Sequence, residues 1–231
     1  MKNNERFQDI LGLLYANGRV SVAELAKELY VSEMTIRRDL IEMENGGYVK
    51  RYRGGAVLKS DQREMPINER EFVDREEKKL LCAKCEKYLR NNITVFLDSS
   101  STCLYLIAYL KNYKGILLVT NSVKALNNAA PYHIPTILIG GEYYEQDMCM
   151  IGPLAEEYAR DINIDIAFMT TAAYSCDGVV SDFDLKQTSV RKNIMLNAKQ
   201  TVFMFEKNKL GKKLTYTLCR KEDVTEVIMV D

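Results

Sequence analysis

Histidine is all but missing from these 231 residues: His133 is the single one, set between Pro131 and Pro135. One imidazole in a proline-flanked connection is a poor centre for acid–base chemistry. Metal binding fares no better. Cys82 and Cys85 have the spacing of half a zinc site, yet no second Cys or His pair completes four ligands. They read better as small buried hydrophobes on a helix, while Cys103, Cys149, Cys176 and Cys219 are scattered. Excess charge is absent as well: 32 basic residues balance 32 acidic ones, which excludes a generic polyanion binder. No long apolar run and no signal peptide are evident, which implies a cytosolic chain with free thiols and no membrane partner. Nothing points to a cofactor or a metal.

What is present is concentrated near the start. At about 100° per residue, Ile36, Leu40 and Met43 fall on one stripe of a helix. Arg38 points away from that stripe, with Thr35 and Glu42 beside it and Arg37 on its flank. One face packs, and the other is free to meet a groove. An earlier helix is announced by Ser21-Val22-Ala23-Glu24, a capping-box pattern, with Val22, Leu25, Ala26 and Leu29 as its apolar stripe. Tyr30-Val31 leaves only a tight turn before Ser32, a good N-cap. Two short capped helices so closely joined form the unit that delivers a recognition helix to the DNA major groove. A first helix over about residues 4–16, with Phe7, Ile10, Leu11 and Leu14, completes a three-helix core and ends at Asn17-Gly18.

Asn45-Gly46-Gly47 should stop the recognition helix. From Tyr48 to Leu58 two β-prone runs flank Gly54-Gly55, as in a hairpin. This stretch carries Lys50, Arg51 and Arg53 and no acid, so it reads as a basic wing along phosphate. The positive charge is local, as suits a protein that positions itself by a few phosphate contacts and reads bases with one helix.

Arg6 with Ile10-Leu11, Val20-Ser21-Val22 leading into Glu24-Leu25-Ala26, Val31-Ser32, Thr35 to Leu40, and Arg53-Gly54-Gly55-Ala56 together resemble the N-terminal winged helix-turn-helix of the DeoR family of bacterial transcriptional regulators. The resemblance implies sequence-specific operator binding, most often repression. Ser32, Met34, Thr35, Arg37, Arg38, Lys50, Arg51 and Arg53 are the DNA-contact candidates.

Residues 1–58 are thus expected to form the DNA-binding domain. The polar segment Lys59 to Pro66 opens a linker over 59–74, and 75–231 is long enough for a core of its own. There a charged helical pattern over about 76–91, with Leu80, Leu81, Cys85 and Leu89 on its apolar side, precedes apolar runs at 93–97, 116–119, 136–139, 164–169, 201–205 and 227–230. Apolar strands alternating with helices predict a doubly wound, mostly parallel α/β sheet, whose ligands bind at the carboxyl ends of the strands.

Those ends are polar. They carry Asp98-Ser99-Ser100-Ser101-Thr102, Thr120-Asn121-Ser122, Gly140-Gly141-Glu142, Thr170-Thr171, and Glu206 to Lys209. Hydroxyls, amides and free backbone N–H groups converging on one sheet edge, with a helix opening near Ser99 to Thr102, predict a pocket for a small polar, phosphorylated ligand.

The same half is similar to the DeoR-type effector domain in Arg70, Lys78, Asp98, Ser99, Ser101-Thr102, Thr120 to Ser122, Gly140-Gly141, Gly152, Asp165, Phe168, Gly178, Ala198, Lys209 and Gly211. That domain is related in fold to sugar-phosphate isomerases and usually senses a phosphorylated sugar. Departures are visible: Ser100, Thr170 and Ala173 replace usual glycines, and Gln187, Arg191 and Glu206 replace a usual glutamate, lysine and aspartate. Lost glycines narrow the pocket or shift the ligand.

The expectation is a non-enzymatic homodimer or homotetramer that binds a double-stranded operator as a repressor. Its effector candidates are Asp98 to Thr102, Thr120 to Ser122, Gly140, Gly141, Thr170, Arg191, Glu206 and Lys209. An isomerase-like enzyme using Asp98, Glu206 and Lys209, and a regulator whose sensor has lost the sugar-phosphate ligand, are the alternatives.

Overall fold

The computed structural model describes residues 3–46, 48–58, 66–71 and 73–230, in two compact units, Met1–Asp74 and Arg75–Asp231. The first unit runs α1 (Asn3–Asn17), β1 (Arg19–Ser21), α2 (Val22–Glu28), α3 (Glu33–Asn45), β2 (Val49–Tyr52), β3 (Gly55–Leu58) and α4 (Ile67–Arg70). Gly18, at φ +72, turns its N–H back to the Leu14 carbonyl at 2.8 Å and stops α1. Ser21 closes the expected capping box with Glu24, and the Ser32 hydroxyl accepts the Thr35 N–H at 3.1 Å to open α3. Ile10, Leu14, Leu25, Ile36, Leu40 and Met43 form the three-helix core, closed by Val49 and Ala56 from the hairpin.

The wing has one strand more than the sequence announces. β3 lies between β2 and β1, all antiparallel, with Val20 opposite Ala56. Gly55 makes this possible, because a Cβ there would fall 2.1 Å from the Val20 carbonyl oxygen. α3 ends at Asn45 as expected, although Gly46 keeps a right-handed φ of −74, and Gly47 lies outside the described residues. So do 59–65 of the expected linker. Its remainder is part helix: Pro66, at φ −52, leads into α4, and Ile67 is fully buried. An apolar side chain with that much area to hide anchors the chain.

The second unit runs α5 (Arg75–Cys85), β4 (Thr94–Leu97), α6 (Ser101–Leu104), α7 (Ile107–Leu110), β5 (Leu117–Thr120), α8 (Val123–Ala129), β6 (Thr136–Leu138), β7 (Glu142–Tyr144), β8 (Cys149–Ile151), α9 (Pro153–Asp161), β9 (Ile166–Met169), β10 (Ala173–Tyr174), β11 (Val179–Asp182), α10 (Leu185–Asn197), β12 (Thr201–Phe205), β13 (Tyr216–Arg220) and β14 (Glu226–Met229). α5 is shorter than expected, since the chain tightens into a 3-10 turn over Glu86–Tyr88 and Leu89 is already extended. Its buried stripe is Lys78, Leu81, Cys82 and Cys85, at i, i+3, i+4 and i+7. Leu80, expected inside, is off that stripe and 53% exposed.

All six expected strands pair in one parallel sheet, in the order β14-β12-β9-β4-β5-β6. Central β9 and β12 are buried throughout, whereas edge strand β6 is only half-buried, as helices on both faces require. Phe96, Phe168, Phe203 and Phe205 are fully buried, each stabilising by about 1.5–3 kcal/mol. The chain leaves β4 in one direction through β5 and β6, then returns to build β9, β12 and β14 on the other side. The order therefore reverses between β4 and β9, the switch point where such sheets open a crevice. Two antiparallel additions have no counterpart in the sequence reading: the hairpin β7–β8 and the sheet β10-β11-β13.

Candidate functional site

The first unit presents its candidates outward. Ser32, Arg37, Arg38, Lys50, Arg51 and Arg53 are exposed, Met34 is 79% exposed, and Thr35 is half-buried. Two of the arginines are tethered: Arg37 Nη2 lies 3.0 Å from Glu33 Oε2, one helical turn back, and Arg51 Nε lies 2.7 Å from Glu44 Oε2. Such exposed pairs are worth little in water, so neither arginine is held firmly by its carboxylate. Arg6 on α1 and Asp39 on α3 form a buried two-point ion pair, Nε–Oδ2 at 2.5 Å and Nη2–Oδ1 at 2.9 Å. It ties the reading helix to the first helix. Asp39 stands at i+3 of the apolar stripe begun by Ile36, and a charge in such a place announces a buried partner.

In the second unit the switch point holds the densest polar cluster of the candidate set. Asp98, just after β4, receives the N–H groups of Ser100 (3.0 Å) and of Thr170 across the switch (3.0 Å). Arg191 on α10 donates from Nε to Asp98 (3.1 Å), from Nη1 to Asp182 (2.9 Å) and from Nη2 to Gln187 (3.2 Å). Gln187 in turn donates to Asp147 at 2.6 Å and accepts from Ser99 at 3.4 Å. A second group joins it: Lys209 Nζ lies 3.1 Å from Thr170 Oγ1 and 2.8 Å from Glu206 Oε2, and Thr102 donates to Glu206. Burial pushes the Glu206 carboxyl up, but the ammonium groups of Lys209 and Lys78 and the hydrogen bonds from Lys209 and Thr102 outweigh it and hold the group at about 2.

Asp98, Ser99, Ser100, Thr102, Thr170, Arg191 and Glu206 are thus buried and tied to one another or to common partners by hydrogen bonds, and Ser101 is buried beside them in α6. The loop N–H groups expected to be free are largely taken: those of Ser100 and Thr170 by Asp98, that of Ser122 by Thr120 (3.0 Å), that of Cys103 by the Ser100 hydroxyl (3.2 Å). The helix expected after Ser99 is the four-residue α6. Ser100 is its N-cap at φ −83, and neither Thr170 nor Ala173 has a positive φ, so these glycine replacements cost no backbone strain.

Thr120 and Asn121 turn to their own surroundings, the Thr120 hydroxyl to the Leu97 carbonyl (2.6 Å) and Asn121 Nδ2 to the Met150 carbonyl (3.0 Å). Ser122, also buried, caps α8. Gly140 and Gly141 are exposed and line a groove of about 390 Å³ with Leu154, Glu157, Tyr158 and Asp161. Asp147 and Asp182 escaped the sequence reading, and Gln187 entered it only as a departure. Their signal was Asp184-x-x-Gln187-x-x-x-Arg191, an N-cap followed by a polar i, i+4 pair on a helix whose other buried residues include Val190 and Ile194. Cys82 and Cys85 are fully buried, with burial pushing the Cys85 thiol up to about 12 and that of Cys82 well above its ordinary value. Among the described residues no helix is long and apolar enough to cross a membrane.

Two family models match this chain, the DeoR-like helix-turn-helix domain over residues 6–62 and the DeoR C terminal sensor domain over residues 73–230. The chain belongs to the DeoR family. As a DeoR-family protein it is a DNA-binding transcriptional regulator. The HTH-type transcriptional regulator GolR of Listeria innocua is 29% identical over 226 residues, covering 97% of this chain and 89% of that protein. The glycerol-3-phosphate regulon repressor of Escherichia coli is 28% identical over 213 residues, covering 92% and 84%. Among solved structures, ribose 5-phosphate isomerase from Plasmodium falciparum aligns at 17% identity and a TM-score of 0.42, over 58% of this chain and 52% of that one.

Proposed function

We propose that this DeoR-family regulator is a repressor whose operator affinity is set by a small phosphorylated metabolite received at the β4/β9 switch point. The observation that carries this reading is the convergence there of Arg191, Lys209 and Lys78 with Asp98, Thr102, Thr170 and Glu206. Cations and hydroxyls from separate strands and helices meet where such a sheet opens its crevice. The naming of one relative for a glycerol-3-phosphate regulon supports a phosphorylated ligand. In a homodimer or homotetramer, two α3 helices enter successive major-groove faces of a repeated operator. Arg38 and Thr35 reach base edges, with Ser32 and Met34 beside them at the DNA, Arg37 meets bases or phosphate, and Lys50, Arg51 and Arg53 hold the backbone.

The ligand acts only by binding one state better than the other. In the closed cluster Arg191 is already shared by Asp98 and Asp182, so a phosphate must displace a carboxylate to reach it. That competition is the lever: ligand binding loosens α10 from β4, and the change in the sensor alters the pairing of the DNA heads.

The same closure favours a second reading, a sensor that has lost its sugar-phosphate ligand and stays locked. A melting screen against glycerol, triose, pentose and hexose phosphates separates the two, because a ligand bound only by the native state raises stability by mass action. A hit that also changes mobility on the chain's own promoter DNA supports sensing. No shift with any phosphate at millimolar concentration favours the locked sensor.

A further inference from the structure

We propose that Tyr30, in the turn between α2 and α3, is a contact to the DNA sugar–phosphate backbone. Three observations leave this side chain without a structural purpose. Its ring is 94% exposed, so it adds nothing to the core of the head. Its φ is +54, a region in which a bulky L-residue is disfavoured. Its backbone closes the end of α2: the Val31 N–H bonds to the Ala26 carbonyl at 3.1 Å and the Tyr30 N–H points to the Lys27 carbonyl at 3.4 Å. These are the two bonds of a Schellman ending, whose left-handed position glycine fills best. A glycine would relieve the backbone and remove an exposed aromatic surface at once.

Location supplies the purpose that packing does not. Tyr30 stands two residues before Ser32, the N-cap of α3, at the end of a recognition helix that reaches base edges between two walls of phosphate. Met34, the next large apolar side chain along the chain, is 79% exposed at the same end, and Arg38 follows one turn later. A tyrosine here can lay its ring against deoxyribose and donate its hydroxyl to a phosphate oxygen, as tyrosines in protein–DNA interfaces do. The left-handed turn then holds the ring outward, clear of the core and toward the duplex. The inference rests on the DNA-binding reading of this head and adds to it a neutral, sequence-independent contact.

The test uses the full chain and two duplexes of equal length, its own promoter DNA and an unrelated sequence. Tyr30→Gly is expected to melt a few degrees higher than the parent, since it removes the left-handed side chain, and yet to bind both duplexes about tenfold more weakly. Tyr30→Phe should keep the parent melting temperature and lose about threefold, the share of the hydroxyl. The slope of log affinity against log salt should stay unchanged in both, because a neutral side chain releases no counterion. Unchanged or tighter binding by Tyr30→Gly overturns the proposal. A loss confined to the promoter duplex overturns it too, as that marks a base contact. So does a change of oligomeric state, which would assign the ring to a contact between copies. If the parent chain binds neither duplex, the DNA-binding reading fails rather than this one.

Discussion

The DNA-binding face of the first unit and the switch point of the second both collect arginines and carboxylates, and they use them in opposite ways. On the head, Arg37 and Arg51 hold Glu33 and Glu44 in water, with side chains 36–61% exposed. At the switch point, Arg191 holds Asp98 and Asp182 with side chains at most 8% exposed. An exposed pair can open at almost no cost, whereas a buried one that loses a partner leaves a charge in a poor solvent. The head is therefore ready for a polyanion that merely arrives. The buried cluster opens only for a group that replaces what it displaces.

The sharpest way to break this contrast is to remove Arg191. Arg191→Met keeps much of the volume but takes from Asp98 and Asp182 the guanidinium that both are bonded to. Breaking a buried pair on one side costs about 3–5 kcal/mol, so the denaturant midpoint should fall strongly. Asp98 also ties β4 to the Thr170 N–H, so the loss should be read in the core of the sheet. A fall of only a few tenths of a kcal/mol would show that the cluster is hydrated and open, like the pairs on the head.

Glu206 sharpens the same point through pH. Its carboxyl is held at about 2 against an ordinary 4.5, a difference of about 3 kcal/mol. A lowered carboxylate stabilises the fold fully above the unfolded value, and that stability is lost as pH falls from about 4.5 towards 2. Glu206→Gln should therefore be less stable than the parent at pH 7, and the gap in unfolding free energy should close across that window. A gap that is constant with pH would mean that packing, and not charge, is what Glu206 contributes.

How much of this contrast could be read beforehand depends on distance along the chain. The head was legible because its signals are local: a capping box closes within four residues at Ser21 and Glu24, and the stripe Ile36, Leu40, Met43 needs only helical spacing. The partner of Asp39 was not legible, because Arg6 lies 33 positions away. In the sensor the six strands announced themselves as apolar runs, and the polar strand ends followed from them. What the residues do there did not follow. Gln187 and Arg191 sit on a helix side that the chain buries only once β4, β9 and β11 are assembled, and Asp147 and Asp182 come from loop and added strand. Lys78 stands out only through the family resemblance, and its burial is not legible, since its stripe on α5 competes with one through Leu80 that looks more apolar.

On the head, Arg38 tests whether exposure serves reading. Arg38→Ala should weaken operator binding by about 1–3 kcal/mol if the guanidinium spans a base edge, and should bring the affinity for operator closer to that for unrelated DNA. Equal losses on all sequences would make Arg38 a phosphate contact instead. The fold should not notice, since Arg38 lies on the face opposite the buried stripe.

The smallest effect comes from freeing Arg51. Glu44 receives both the Arg51 side chain and its backbone N–H, at 2.7 and 2.9 Å. The hydrogen bonds from the guanidinium and then the backbone hold the Glu44 carboxyl below its ordinary value. Glu44→Gln keeps the shape and removes the charge. With both side chains more than a third exposed, the melting temperature should not move measurably. Binding should respond, because an acid that would face phosphate is gone and Arg51 no longer divides its charge. Affinity for duplex DNA at low salt should rise roughly two- to threefold, and the salt slope should steepen by up to about one. A steeper slope without a change in stability is the signature of a pair that opens freely. If Glu44→Gln instead lowers the melting temperature and leaves the slope alone, the exposed pair is structural, and the head resembles the sensor more than its burial suggests.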